Sequence, residues 1–138
     1  MADKLYTVVA AVKVDKVFDN KYKTILPKVI KSAAEAGIAD SKSGLTSQKP
    51  TDKSAKTYSL DVTVSSLTFK ADTLELFVNL VVSEENNVAG YPKGHSKLPS
   101  KNPKELDDDV EALVDGVVHS TVATTVRKTI DAFIAKNR

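Results

Sequence analysis

Residues 58–83, YSLDVTVSSLTFKADTLELFVNLVVS, decide the fold. Leu60, Val62 and Val64 alternate with polar residues, and Leu67 and Phe69 resume the alternation one residue out of phase. Such a slip at Ser65-Ser66 reads as a β-bulge, in which one extra residue is inserted without ending the strand. Lys70-Ala71-Asp72-Thr73 then reverses the chain, and Leu74, Leu76, Val78, Leu80 and Val82 alternate with Glu75, Phe77, Asn79 and Val81. A period of two with β-branched and aliphatic residues on one side describes an antiparallel hairpin with one buried face.

Upstream, Leu5 to Val14 is rich in β-branched residues. Tyr6, Val8, Ala10, Val12 and Val14 share one face, and Thr7, Val9, Ala11 and Lys13 share the other. Both sets are largely apolar, as expected of a strand covered on two sides. Asp19 then caps a helix with the stripe Tyr22, Ile25, Leu26, Val29, Ile30 and Ala33, and Gly37 is its expected stop. Pro27 inside that pattern predicts a kink or a start near Thr24. Lysines 21, 23, 28 and 31 decorate the outer side.

Downstream, Pro103 to Ile134 carries a second helical stripe, through Leu106, Val110, Leu113, Val114, Val117, Val118, Thr121, Val122, Thr125, Val126, Ile130, Phe133 and Ile134. Asn102-Pro103-Lys104-Glu105 opens it with a cap, a proline at the first helical position and a capping-box acid. Asp107, Asp108, Asp109 and Glu111 come early and Arg127, Lys128, Lys136 and Arg138 late, which suits the helix dipole. Gly116 and the β-branched run behind it weaken helicity, so a break is expected there. Unbroken, the segment makes a rod of ~48 Å. A compact domain of this length is roughly 37 Å across. The rod would overhang its own domain, and its stripe would need cover from a partner.

Two long segments join these elements: 38–57, and 84–102 with Gly90, Pro92, Gly94 and Pro99 as breakers. Both read as Lys-rich loops, with a short strand conceivable at Leu45–Ser47. The sum is one α+β domain over 1–138: a small, mainly antiparallel sheet in the order β-α-β-β-α, packed by two helices of which the C-terminal one is long.

Composition narrows the function. Twenty basic against eighteen acidic residues leave a net charge of +2, too little to expect nucleic acid as a partner. The absence of cysteine excludes disulfides, thiolate zinc sites and thiol nucleophiles. With 41% apolar residues a core is affordable, but without Trp and with only four Phe it must be aliphatic. No apolar run approaches the ~18–20 residues of a membrane-spanning helix. The N-terminal residues do not read as a signal peptide, so the expected setting is the cytoplasm or a virion, or the periplasm if a leader has been removed.

Chemical motifs are weak. The acids Asp107, Asp108, Asp109, Glu111 and Asp115 lack the spacing and central glycine of a calcium loop and read as a solvated helix start. Gly90-Tyr91-Pro92-Lys93-Gly94-His95-Ser96-Lys97 is one residue short of phosphate-loop spacing and puts His where Lys belongs. His95 and His119 are the two histidines, and neither lies in a context that activates a serine. Glu75 and Asp61 form a conceivable carboxylate pair, each on the polar side of a strand. No catalytic residue, metal or cofactor is expected.

Lys42, Lys49, Lys53 and Lys56 in the first segment, and Lys93, Lys97, Lys101 and Lys104 around the second, are available to an acidic partner. Ser120, Thr121, Thr124, Thr125 and Thr129 on the last helix permit close packing with a partner helix, or bond back to their own carbonyls. The function expected is a non-catalytic assembly subunit, forming a homo-oligomer or part of a larger particle with other subunits, such as a viral or phage component. Val117, Thr121, Thr125, Ile130, Phe133, Ile134, Lys93, Lys97 and Lys101 are its candidate contacts. The size and strand–helix order are also similar to accessory domains of bacterial envelope machinery, which implies the alternative of a periplasmic adaptor or ligand-binding module. A third reading, an enzyme using His95 or His119, requires a pocket where a histidine meets a carboxylate.

Overall fold

A computed structural model describes residues 5–40, 56–84 and 87–136, with side chains for all of these except 5–8, 40, 56, 57, 84, 87, 89 and 129–136. The expected hairpin is its centre. β2 (Lys56–Lys70) and β3 (Thr73–Glu84) pair antiparallel, and the register shifts between Val64 and Ser66, where the bulge was read. Ala71 and Asp72 make the two-residue turn with φ of 50° and 57°. This left-handed pair of residues matches the twist of the flanking strands.

β1 (Leu5–Val17) lies parallel to β2 on its far side. A parallel neighbour cannot be reached by a tight turn. The crossover is carried by α1 (Tyr22–Asp40). The register of β1 shifts between Val9 and Ala11, so the simple alternation expected for this strand fails. Val9, Val12, Val14 and Val17 pack against the core, while Ala10 and Ala11 are exposed. Among the described residues β1 is thus an edge strand covered on one face, rather than a strand buried on two.

The segment expected as a second loop is a strand interrupted once. β4 (Asn87–Gly90) and β5 (Lys93–Pro99) run back antiparallel along β3, separated by Tyr91 and Pro92. The Pro92 carbonyl still accepts the Leu80 N–H at 2.8 Å, and the Ser100 N–H reaches the Asp72 carbonyl at 2.8 Å, which fastens the far end of β5 to the hairpin turn. The first segment, with the Leu45–Ser47 strand and Lys42, Lys49 and Lys53, lies largely outside the described residues; Lys56 opens β2.

Both helices pack on one face of the sheet. Leu60, Val62, Val64 and Leu67 of β2 and Leu74, Leu76, Val78, Leu80 and Val82 of β3 meet Tyr22, Leu26, Ile30, Ala33, Ala34 and Ile38 of α1. The same core takes Val110, Leu113, Val114, Val117, Val118, Val122 and Val126 of α2 (Leu106–Lys136). A 3-10 turn at Pro103–Glu105 precedes α2, and the Asn102 side chain accepts from the Lys104 N–H at 3.0 Å as its cap. α2 then runs through Gly116 without the expected break.

Asp19 caps α1 as expected, its carboxylate accepting from the Lys21 N–H at 3.1 Å. α1 starts at Tyr22, contains Pro27 and continues past Gly37 to Asp40, so Gly37 is not its stop. At Gly37 the helices come close together: a Cβ there would lie 2.7 Å from the His119 carbonyl oxygen. At the other end the Tyr22 hydroxyl donates to Asp107 Oδ1 at 2.7 Å. The two helices thus run in the same direction, first turn beside first turn. α2 continues about ten residues, or roughly 15 Å, beyond the level where α1 ends.

Candidate functional site

The sheet face away from the helices is polar and open, and its most organised part is on β3 and β5. Exposure alternates along β5: Lys93, His95, Lys97 and Pro99 face outward, and Gly94, Ser96 and Leu98 face α2. Leu98 packs against the core, and at Gly94 a side chain is missing because α2 passes close by. A Cβ on Gly94 would collide with the Thr121 Oγ1 and stand 3.0 Å from Val117 Cγ1.

Register places the outward residues of β5 beside those of β3, as Lys97 with Glu75, His95 with Phe77 and Lys93 with Asn79. His95 Nε2 lies 2.8 Å from Glu75 Oε2, and Lys97 Nζ lies 3.6 Å from the same oxygen. The hydrogen bond from His95, followed by the charge of Lys97, holds the Glu75 carboxyl below its usual range. The Phe77 and His95 rings stack at 4.2 Å and 17°. Phe77 remains 41% exposed, an apolar ring in a polar field. The Ser65 hydroxyl, at the bulge, donates to the Phe77 carbonyl at 3.1 Å.

A histidine does meet a carboxylate here, which the sequence could not reveal because β5 was read as loop. Glu75 pairs with His95, not with Asp61, which sits beside Val81 in the register of the hairpin. The dyad stands on an open strand surface, with the side chains 45% and 31% exposed. The Ser65 hydroxyl beside it is committed to a backbone carbonyl. The arrangement is that of a cross-strand charge pair with a stacked aromatic.

Lys93 and Lys97 therefore project from a strand rather than a loop, and Lys101 follows as an exposed residue beyond Ser100. Gly90 to Lys97 runs from one strand into another, so the strand-to-helix setting of a phosphate loop is absent there. Val117 and Thr125 are buried within the chain. The Thr125 hydroxyl donates to the Thr121 carbonyl at 2.7 Å, and Ser120 donates to the Val117 carbonyl at 3.4 Å, the back-bonding alternative. Thr121 packs over Gly94. The side chains of Ile130, Phe133 and Ile134 lie outside those described.

Two acids of the helix start are bonded within the chain. Asp107 takes Tyr22 and, at 3.0 Å, Lys21; Asp109 Oδ2 accepts from the Ser100 hydroxyl at 2.7 Å.

Between β5 and α2 runs a groove of about 600 Å³, lined on the helix side by Ala112, Gly116, Val117, Ser120 and Thr121. Among the described residues, nothing beyond the helix's own backbone stands within 4 Å of where a Gly116 Cβ would be. The sequence signal for this groove was Gly116 itself, read there as a helix break.

No family model and no curated protein matches the chain. Solved structures do. The fold is similar to a PelC dodecamer of Paraburkholderia phytofirmans, with TM-score 0.54 and 12% identity over 88% of this chain and 86% of that one. An uncharacterised protein superposes at TM-score 0.58 with 10% identity, covering 94% of each chain. Protein XCC0632 of Xanthomonas campestris, from the DUF330 family, gives 0.51 with 12% identity over 99% of this chain and 89% of the other. At such identities the likeness is one of fold: a sheet with two helices on one face and a long C-terminal helix.

Proposed function

We propose that this chain is a non-catalytic assembly subunit that forms a homo-oligomer as an accessory component of bacterial envelope machinery, on the periplasmic side. The observation that carries the reading is the fold likeness, over most of both chains, to a bacterial protein solved as a dodecamer. Two features of the chain support it. The sheet ends in two edges, β1 and β4–β5, to which the described residues add no further strand, and an edge must be covered or used. The α2 backbone also runs on past the end of α1.

The bacterial sources of the named neighbours favour an envelope assembly over the virus particle offered as an example from sequence. The exposed setting of His95 and Glu75, with the nearby Ser65 hydroxyl bonded to a backbone carbonyl, supports a role other than catalysis. Light scattering coupled to size exclusion over a concentration series tests the assembly. A defined oligomer is expected; a 14.9 kDa monomer at every concentration overturns it. Fractionation of cells expressing the native gene tests the compartment, with the periplasmic or membrane fraction expected.

A further inference from the structure

We propose that the outer edge of β5 is a binding site for an extended acidic segment of another protein, which joins the sheet by β-strand addition. β5 is hydrogen-bonded to β3 along one side, and among the described residues no strand pairs with its other side. Among the described residues that side presents a row of backbone N–H and C=O groups without a strand partner, which is the template strand addition uses.

Lysines on an edge strand can serve only to repel other strands. Two observations go beyond that use. The first is the groove beside the edge. Its helix wall is lowest at Gly116, an exposed mid-helix glycine with open space in front of it. A glycine there weakens α2 relative to alanine, a cost that simple repulsion does not require. The second is the organisation of the basic row. Lys93, His95 and Lys97 point to the same face at two-residue spacing, Lys101 follows, and Glu75 holds His95 and Lys97 in place. An added strand has the same period of two, so side chains of one set meet that row while the other set turns toward the groove.

Charge selects the occupant. The other edge of the sheet, β1, exposes Lys13 and Lys16, and its Asp15 is already paired with Lys13 at 3.4 Å. Docking β1 of a second copy against β5 would bring lysines beside lysines, which is unfavourable directly across a strand pair. A partner with Glu or Asp at alternate positions, and small apolar residues between them, satisfies both the row and the groove. This site takes the β5 edge for another protein and leaves β1 to the oligomer reading, which rests first on the fold likeness, so peptide binding and oligomer mass test the two apart.

The probe is a fluorescein-labelled decapeptide of alternating Glu and Val, with two controls: Lys in place of Glu, and the Glu peptide methylated at alternate amide nitrogens. Fluorescence anisotropy at low salt should show the Glu peptide binding at least about tenfold tighter than either control. Lys93→Glu combined with Lys97→Glu should reverse the preference toward the Lys peptide. Gly116→Leu should keep the fold, judged by circular dichroism and an undiminished melting temperature, yet weaken the Glu peptide by about tenfold through filling the groove.

Absence of binding, equal binding of the Glu and Lys peptides, or undiminished binding of the methylated peptide would each overturn the proposal. So would unchanged affinity in Gly116→Leu. If Gly116→Leu instead changes the oligomer mass in light scattering while peptide binding persists, the groove belongs to a second copy and the proposal is wrong.

Discussion

Tyr22 has a fully buried ring and a hydroxyl that emerges at the first turn of α2, where it donates to Asp107 while Lys21 pairs with the same carboxylate. The bond to Tyr22, and next that to Lys21, lowers the Asp107 pKa from its ordinary 3.8. Burial first, and the Asp107 bond second, raises that of Tyr22 above its ordinary 10.0. A lowered carboxylate contributes stability that is whole above its unfolded pKa and is lost as pH falls through the folded value. A raised tyrosine contributes stability that is whole below its unfolded pKa and is lost as pH rises through the folded one. One hydrogen bond therefore weakens at both extremes. Tyr22→Phe should cost about 1 kcal/mol at neutral pH. It should also flatten both the acid limb, below 3.8, and the alkaline limb, above 10.0, of a urea-midpoint profile. Unchanged limbs would show that the bond does not form in solution. The hairpin turn offers a second residue-scale test. Ala71 and Asp72 occupy positive φ, which disfavours residues with a Cβ. Replacing them by Asn and Gly should raise stability by about 1 kcal/mol in urea unfolding without altering the fold.

At the scale of elements, two helical glycines look alike in sequence and differ in place. Gly37 is buried in the α1–α2 crossing, where an added Cβ would meet the His119 carbonyl at 2.7 Å and the Val122 Cβ at 3.1 Å. Backbone cannot yield as a side-chain tip can, so Gly37→Ala should lower stability by roughly 1–3 kcal/mol. Gly116 faces open space, and Gly116→Ala should raise it by about 1 kcal/mol through helix propensity alone. Melting curves of the two variants should move in opposite directions; a shift of the same sign would refute the helix crossing. The same contrast explains what the sequence disclosed. Hairpin, bulge, turn and Asp19 cap were legible because each leaves a signal in local order: alternation, slipped phase, a polar break, a capping residue. β5 left none. Its inner face must be small where Val117 and Thr121 press on Gly94, so the apolar alternation that marks a strand is erased. Gly37 carried the signal of a stop for the parallel reason: only the partner helix says why a side chain is missing there. The candidate site inherits this gap. Lys93 and Lys97 were picked out by composition, but their alignment with Glu75 and Phe77 depends on a register that only β5 as a strand supplies.

At the scale of the molecule, the core is one-sided. Among the described side chains, the large, fully buried aliphatics lie between two helices and one sheet face, which leaves the other face and both edges outside the core. If those remaining surfaces are used by neighbouring copies, folding and assembly share free energy, and stability must depend on protein concentration. Partners that bind only the folded chain stabilise it in proportion to the logarithm of their concentration, about 2.7 kcal/mol at a hundredfold excess over the dissociation constant. A domain of this size shifts its melting temperature by several degrees for each such kcal/mol, at about 4–8 °C for 60–100 residues and about 2–4 °C for larger chains. Differential scanning fluorimetry between micromolar and hundred-micromolar protein should therefore show the midpoint rising with concentration. A midpoint independent of concentration, in a sample that light scattering finds oligomeric, would mean that the subunit folds alone and that its contacts add nothing to the fold. A constant midpoint in a monomer would return the two edges and the α2 overhang to a different partner.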